Sequence, residues 1–180
     1  MARLKLVLVV GPSGTGKSTL AKKIAKELGF THIDSEKIKQ QFDYQPDVTQ
    51  KSQARKKSYR ALYYQVLTKL KIGHNVVTDA PHNQEMKDPT FVAELERKMA
   101  EWGVDADIKI IHRTASRSQI RQNIRWRWKT QGRPQDLQKL ENWQAFVDGE
   151  LKPYRVVHDH LVVRNRHDQI NEIRRFIHAE

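Results

Sequence analysis

The sequence predicts a three-layer α/β domain, a parallel sheet of about five strands with helices on both faces and an arginine-rich helical lid. Three observations predict it. Short β-branched apolar runs alternate with longer stretches of helical periodicity along the whole chain. The first apolar run leads through a glycine-rich turn into a helical pattern. A later helical stretch carries Arg117, Arg121 and Arg125 at four-residue spacing, a basic helix able to fold over one end of the sheet.

Leu4–Val10 is suited to a buried strand, and the turn at 11–19 opens a helix marked by Leu20, Ile24 and Leu28 and ended by Gly29. Phe30–Asp34 is a second short strand, after which Asp34 or Ser35 caps a helix with Ile38 and Phe42 on one face. Tyr44–Asp47 is a loop. A long helix from about Val48 to Ile72 carries the stripe Tyr59, Leu62, Tyr63, Val66, Leu67 and Leu70, and Gly73 ends it. Asn75–Asp79 is the third strand. Pro89–Trp102 is a helix with Phe91, Leu95, Met99 and Trp102 inward. Ala106–His112 is the fourth strand, and Ser116–Lys129 a helix with the apolar line Ile120, Ile124 and Trp128. Gln131–Pro134 is a turn, and one further helix uses Leu140, Trp143, Val147 and Leu151. His160–Arg164 is the last strand, and Ile170, Ile173 and Ile177 mark a final helix. This alternation argues for one domain over residues 1–180, with the lid at about 114–135.

Composition bounds the partners. With 38% hydrophobic and 30% charged residues the chain reads as soluble and globular, and no apolar run approaches the roughly 20 residues of a membrane helix. Met1-Ala2-Arg3 leads straight into the first strand, leaving no room for a signal peptide. The absence of cysteine excludes disulfides and cysteine–zinc sites and fits a cytoplasmic location. A net charge of +12, from 33 lysines and arginines against 21 acids, favours polyanionic partners such as nucleic acid or phosphorylated metabolites. A merely solvated basic surface has the same composition, so charge alone names no substrate.

The turn carries the chemistry. Gly11-Pro12-Ser13-Gly14-Thr15-Gly16-Lys17-Ser18-Thr19 fits G-x-x-x-x-G-K-[ST] between a strand and a helix. Its glycines let backbone N–H groups close around phosphate oxygens, and the helix N-terminus behind them adds roughly half a positive charge. Lys17 reaches the β- and γ-phosphates and Ser18 ligates Mg2+, so the chain is expected to bind a nucleoside triphosphate. Asp79, ending an apolar strand, is either a second magnesium-organising carboxylate beside Ser18 or a cap of the next turn. Asp34 and Glu36 end the second strand in the same crevice, where a carboxylate accepts the proton of an attacking hydroxyl; a cap plus a first-turn acid would show the same residues. The arginines of the 116–129 helix repel one another unless a polyanion lies against them, which suits a lid closing on the triphosphate.

These residues together resemble the small P-loop kinases, most of all the zeta-toxin and polynucleotide-kinase-like group of ATP-binding proteins, with shikimate and gluconate kinases more distant. In that group the second strand runs into Ser-Ser-Asp-Glu-Ile-Arg; here the register reads Asp34-Ser35-Glu36-Lys37-Ile38-Lys39. The resemblance implies that Glu36 stands where the hydroxyl-activating aspartate sits and Lys39 where a substrate-binding arginine sits. Glutamate is longer and lysine lacks the bidentate fork. Asp34 matches the first acid of the Asp-x-Asp of shikimate and gluconate kinases and competes for the same role. Arg121 and Arg125 match the arginine-rich lid, and Asn165 the position contacting adenine. The acceptor-side set is then Asp34, Glu36, Lys39, Asp79 and Arg133, and the cofactors are ATP and Mg2+.

The leading expectation is an ATP-dependent kinase acting on a hydroxyl. A nucleic-acid 5′-hydroxyl is favoured by the charge and by the cluster Lys51, Arg55, Lys56, Lys57 and Arg60; a small metabolite or nucleotide sugar is equally open. A nucleotide-dependent ATPase or switch would need no acceptor carboxylates, and a nucleic-acid-binding module would leave them unexplained.

Overall fold

A computed structural model describes residues 3–42, 48–164 and 169–179, with side chains at all of these but 48–52. Five parallel strands form one sheet in the order β2-β3-β1-β4-β5. They are β1 (Leu4–Val10), β2 (Thr31–Asp34), β3 (Val76–Asp79), β4 (Ala106–Arg113) and β5 (Leu161–Val163). β1 is central and pairs with β3 and β4, and Leu6 to Val10 are fully buried. The pleat explains why the run is apolar throughout. Leu6, Leu8 and Val10 face one helical layer, and Val7 and Val9 the other.

The first layer holds α3 (Val48–Lys71) and α4 (Phe91–Glu101), with Leu62, Val66, Leu67, Leu70, Leu95 and Met99 packed on the sheet. The second holds α1 (Lys17–Leu28) and α8 (Ile170–His178), contributing Leu20, Ile24, Ile173 and Ile177. A short α2 (Ser35–Lys39) continues β2 without a break. The glycine expected to end the first helix does so: Gly29 is left-handed (φ 70°), and its N–H caps Ala25.

Beyond the sheet, α5 (Arg117–Gln131), α6 (Pro134–Glu141) and α7 (Trp143–Phe146) pack around Ile120, Ile124 and Phe146, a cluster that contains the stretch expected to act as a lid and extends past it. The single helix expected through Leu140–Leu151 is broken. Asn142 donates its side-chain amide to the Gln138 carbonyl at 3.1 Å and leaves helical geometry, and residues 147–151 form a wide turn. The Pro89 start moves to Phe91, because Asp88 accepts from both the backbone and hydroxyl of Thr90. The 44–47 loop and the side chain of Lys51 lie outside the described residues. Among the described residues, no helix is long and apolar enough to cross a membrane.

Candidate active site

The loop between β1 and α1 lies at the carboxyl end of the sheet. Gly11, Gly14 and Gly16 have φ of 144°, 84° and 88°, conformations that side chains rarely adopt. At Gly11 a Cβ would stand 2.4 Å from the Arg113 carbonyl oxygen, and at Gly14 one would stand 2.9 Å from Ile120 and 3.0 Å from Ile124. The first glycine therefore admits β4 and the second admits the lid. Thr15 braces the turn by donating to the Pro12 carbonyl at 3.0 Å.

Lys17 arches back over this loop and its Nζ donates to the same Pro12 carbonyl at 2.8 Å. Desolvation lowers its pKa to about 7; the Asp79 carboxylate opposes that shift, while the positive field of Arg127, Lys39 and Lys139 adds to it. A bound polyphosphate would reverse the balance. Ser18 donates to Asp79 Oδ2 at 2.5 Å. Asp79 is 3% exposed, and its Oδ1 meets His32 Nε2 at 2.7 Å. Ser18 and Asp79 thus present hard oxygen donors side by side, a set suited to Mg2+. Thr19 lines a cavity of about 370 Å³ with Thr15, Gly16, Arg113, Asn123 and Gln169, whose buried Oε1 has no hydrogen-bond partner among the described residues. Asn165 lies outside the described residues.

On the acceptor side, Asp34 is opposite Asp79 in the β2–β3 register. Its Oδ1 accepts from the N–H groups of Glu36 and Lys37 at 3.0 and 3.3 Å, so it caps α2. Glu36 Oε1 accepts from Arg133 at 2.9 Å, a contact that reaches from α2 to the start of α6. Half-buried Lys39 has a lowered pKa, first from desolvation and further from Arg55, against the pull of Glu36. The structure therefore brings Glu36 and Arg133 into contact, and Lys39 feels the charge of Glu36.

Arg121 and Arg125 are placed differently from the expectation. Both are exposed and line an outward groove, and Arg121 lies 5.4 Å from the Trp143 ring centre. The α5 side chains reaching the loop are Asn123, whose amide donates to the Gly14 carbonyl at 2.8 Å, and Arg127, which donates to Ser13 Oγ at 3.3 Å. Buried Asp136 holds Arg127 at 2.8 Å, and its second oxygen is 3.6 Å from Arg133 Nε. Arg113, from the end of β4, donates to the Thr15 carbonyl at 3.1 Å.

His32, Arg113, Asn123 and Asp136 were not anticipated. The signal for Asn123 and Arg127 lay in the apolar line itself: if Ile120 and Ile124 pack inward, positions 123 and 127 flank that face and 121 and 125 turn away. Asp136 also carried a signal, as the first carboxylate after 28 residues without one.

A family profile described as an AAA domain matches residues 6–148. A 29-residue stretch is 62% identical to the cytidylate kinase of Caldanaerobacter subterraneus subsp. tengcongensis; it covers 16% of this chain and only 13% of that protein. The fold is similar to that of a kinase-like protein from Chloroflexus aurantiacus, at TM-score 0.68 and 20% identity over 96% of this chain and 93% of that one. It is also similar to the APS kinase of Mycobacterium tuberculosis, solved with AMPPNP and APS, at TM-score 0.63 and 19% identity over 99% and 100% of the two chains.

Proposed function

The chain belongs to the AAA domain family, and on that premise we propose that it is an ATP-dependent phosphotransferase moving the γ-phosphoryl group of ATP onto a hydroxyl acceptor. The observation that carries this reading is the adjacency of β2 and β3. Asp34 stands opposite Asp79, so α2, which Asp34 caps, starts at the Ser18–Asp79 pair of the phosphate loop, and its Lys39 feels both Glu36 and Asp79.

The loop N–H groups receive the phosphates, and Lys17 leaves the Pro12 carbonyl for the β- and γ-oxygens. Arg127 is poised over Ser13 to meet charge on the transferring group, a role that sequence alone gave to Arg121 and Arg125. Ser18 and Asp79 would hold Mg2+, which would supply positive charge to offset that of the polyphosphate. Glu36 accepts the acceptor's hydroxyl proton once Arg133 releases it, while Asp34 keeps α2 in place. The cavity beside Thr19 and Gln169 takes the base of the nucleotide. Within the family, the register of Asp34–Lys39 supports a place near the zeta-toxin and polynucleotide-kinase-like group. The absence of cysteine supports a cytoplasmic location.

A turnover and thermal-shift screen with ATP–Mg2+ tests the reading, its acceptors being sugars, nucleosides, cytidine monophosphate and a 5′-hydroxyl oligonucleotide. The expected result is transfer to one hydroxyl acceptor class, abolished in folded Lys17→Ala, whereas transfer to the phosphate of cytidine monophosphate would overturn the hydroxyl acceptor. Tight ATP binding and unchanged turnover by folded Lys17→Ala would refute the loop assignment. ATP hydrolysis that no acceptor accelerates would instead favour an ATPase.

A further inference from the structure

We propose that the outer face of α5 is a docking surface for single-stranded nucleic acid, separate from the nucleotide loop on which the inner face of the same helix sits. Arg117, Arg121, Arg125 and Lys129 follow one another at four-residue spacing and all are exposed. At 1.5 Å rise per residue the rungs are about 6 Å apart along the axis. That interval is comparable to the distance between successive phosphates of an extended strand.

α5 contains no acidic residue. Among the described residues no carboxylate forms an ion pair with any of the four cations, and Asp148, which feels the field of Arg117, is taken by Lys152. Four unneutralised cations on one helix face repel one another, and a polyanion laid along them removes that repulsion. The groove beside them, about 350 Å³, is lined by Arg117, Ser118, Arg121, Gln122, Arg125 and Trp143, again without an acid. Trp143 already carries a guanidinium on its ring, and Trp126 of the same helix is 62% exposed. Phosphate-facing cations flanked by indole rings are the ingredients of a single-strand site, where bases stack on aromatic side chains.

Two alternatives are less well supplied. The cluster on α3 favoured by sequence faces acids: Arg55 is bound by Glu85, and the groove of about 730 Å³ that it lines with Lys56 and Arg60 also holds Asp88 and Glu94. A bilayer would need an aliphatic face, but Ile120 and Ile124 are buried against Gly14.

Fluorescence anisotropy of a labelled oligothymidylate from low to moderate salt tests the proposal. Counterion release gives a log–log slope of about −0.7 per phosphate contact, so four cations predict a slope near −3. Arg121→Glu/Arg125→Glu should halve that slope and weaken binding at least about tenfold at low salt, losing two of the four contacts. Circular dichroism checks the fold, and the neutral pair Arg117→Gln/Arg125→Gln reads the same slope if charge reversal unfolds the helix. An unchanged slope in the folded variants overturns the proposal. So does a loss confined to Lys56→Glu/Arg60→Glu, or capture of phosphatidylserine vesicles without oligonucleotide binding.

Discussion

Two carboxylates with the same sequence credentials are separated by their contacts. Asp34 is occupied with the backbone of its own helix, whereas the Glu36 carboxylate, among the described residues, is held by Arg133, a partner it can exchange for an acceptor. Glu36→Gln should lower transfer at least about tenfold with little change in ATP affinity, since general bases contribute about a hundredfold or more and loose phosphoryl transfer leans on positioning. Asp34→Asn retains a capping oxygen and should cost less. Steady-state kinetics of the two variants decides, and a larger loss from Asp34→Asn would give the base to Asp34. Lys17 supplies a test by pH. Desolvation holds it at about 7 in the folded protein, while the unfolded chain keeps the ordinary value of 10.5. Between those values the unfolded state binds more protons, so burial of Lys17 costs stability below pH 7 and that cost fades as pH rises toward 10.5. ATP phosphates favour the ammonium, so binding at pH 8.5 should draw about one proton from the buffer. Calorimetry in buffers of different ionisation heat measures this uptake, which should vanish in Lys17→Met; equal uptake in both proteins would assign the proton elsewhere.

The element that matters most is α5, because its two faces do different things. Its inner face closes against Gly14 through Ile120 and Ile124 and delivers Arg127 to the loop. Arg127→Gln should lower kcat about a hundredfold, the scale of a lost transition-state donor, with a smaller change in KM. An unchanged kcat would remove Arg127 from the reaction. The helix also shows how far sequence reaches. Its start at Ser116 and its inward Ile120 and Ile124 were legible from periodicity, but the helix runs past the expected Lys129 to Gln131 before Gly132 caps it. The same periodicity turns Arg127 toward the loop, whereas the regular Arg117–Arg121–Arg125 spacing drew attention to the outward side. The strands were legible as apolar runs. Their order was not, since β2 joins β3 across 41 intervening residues, from 35 to 75, and only that adjacency sets His32 on Asp79. The break at Asn142 was hidden because a side-chain-to-backbone hydrogen bond leaves no trace in a hydrophobic pattern.

For the molecule as a whole, acid is the condition that tests the core. His82 is fully buried among Tyr59, Tyr63 and Phe91, and desolvation, aided by the nearby Lys39, Arg55 and Lys17, depresses it to about 3. An unfolded histidine takes its proton near 6.5, so folding stability is complete above that pH and falls as the solution is acidified toward 3. The linked loss is on the order of 5 kcal/mol by pH 3. Denaturant melts at pH 7, 5 and 4 should show it, and His82→Phe, which cannot titrate, should flatten the curve. A variant as acid-sensitive as the parent would place the effect in another group.

The nucleotide loop is closed by a residue about a hundred positions downstream. Arg113 supplies the carbonyl against Gly11 and a guanidinium to Thr15, and it ends the strand that flanks β1. On the ribosome, some ninety residues must therefore be added after the loop before its second wall exists. At about 5–20 residues per second this takes roughly 5–20 s, during which the apolar strand Leu4–Val10 has emerged without its β4 neighbour. ATP cannot help the nascent chain through that interval, because its own cradle is among the things still waiting for β4. A ligand of the loop would therefore stabilise the chain only late in synthesis, and until then β1 can be covered only by elements made before β4, α1 and β3 among them.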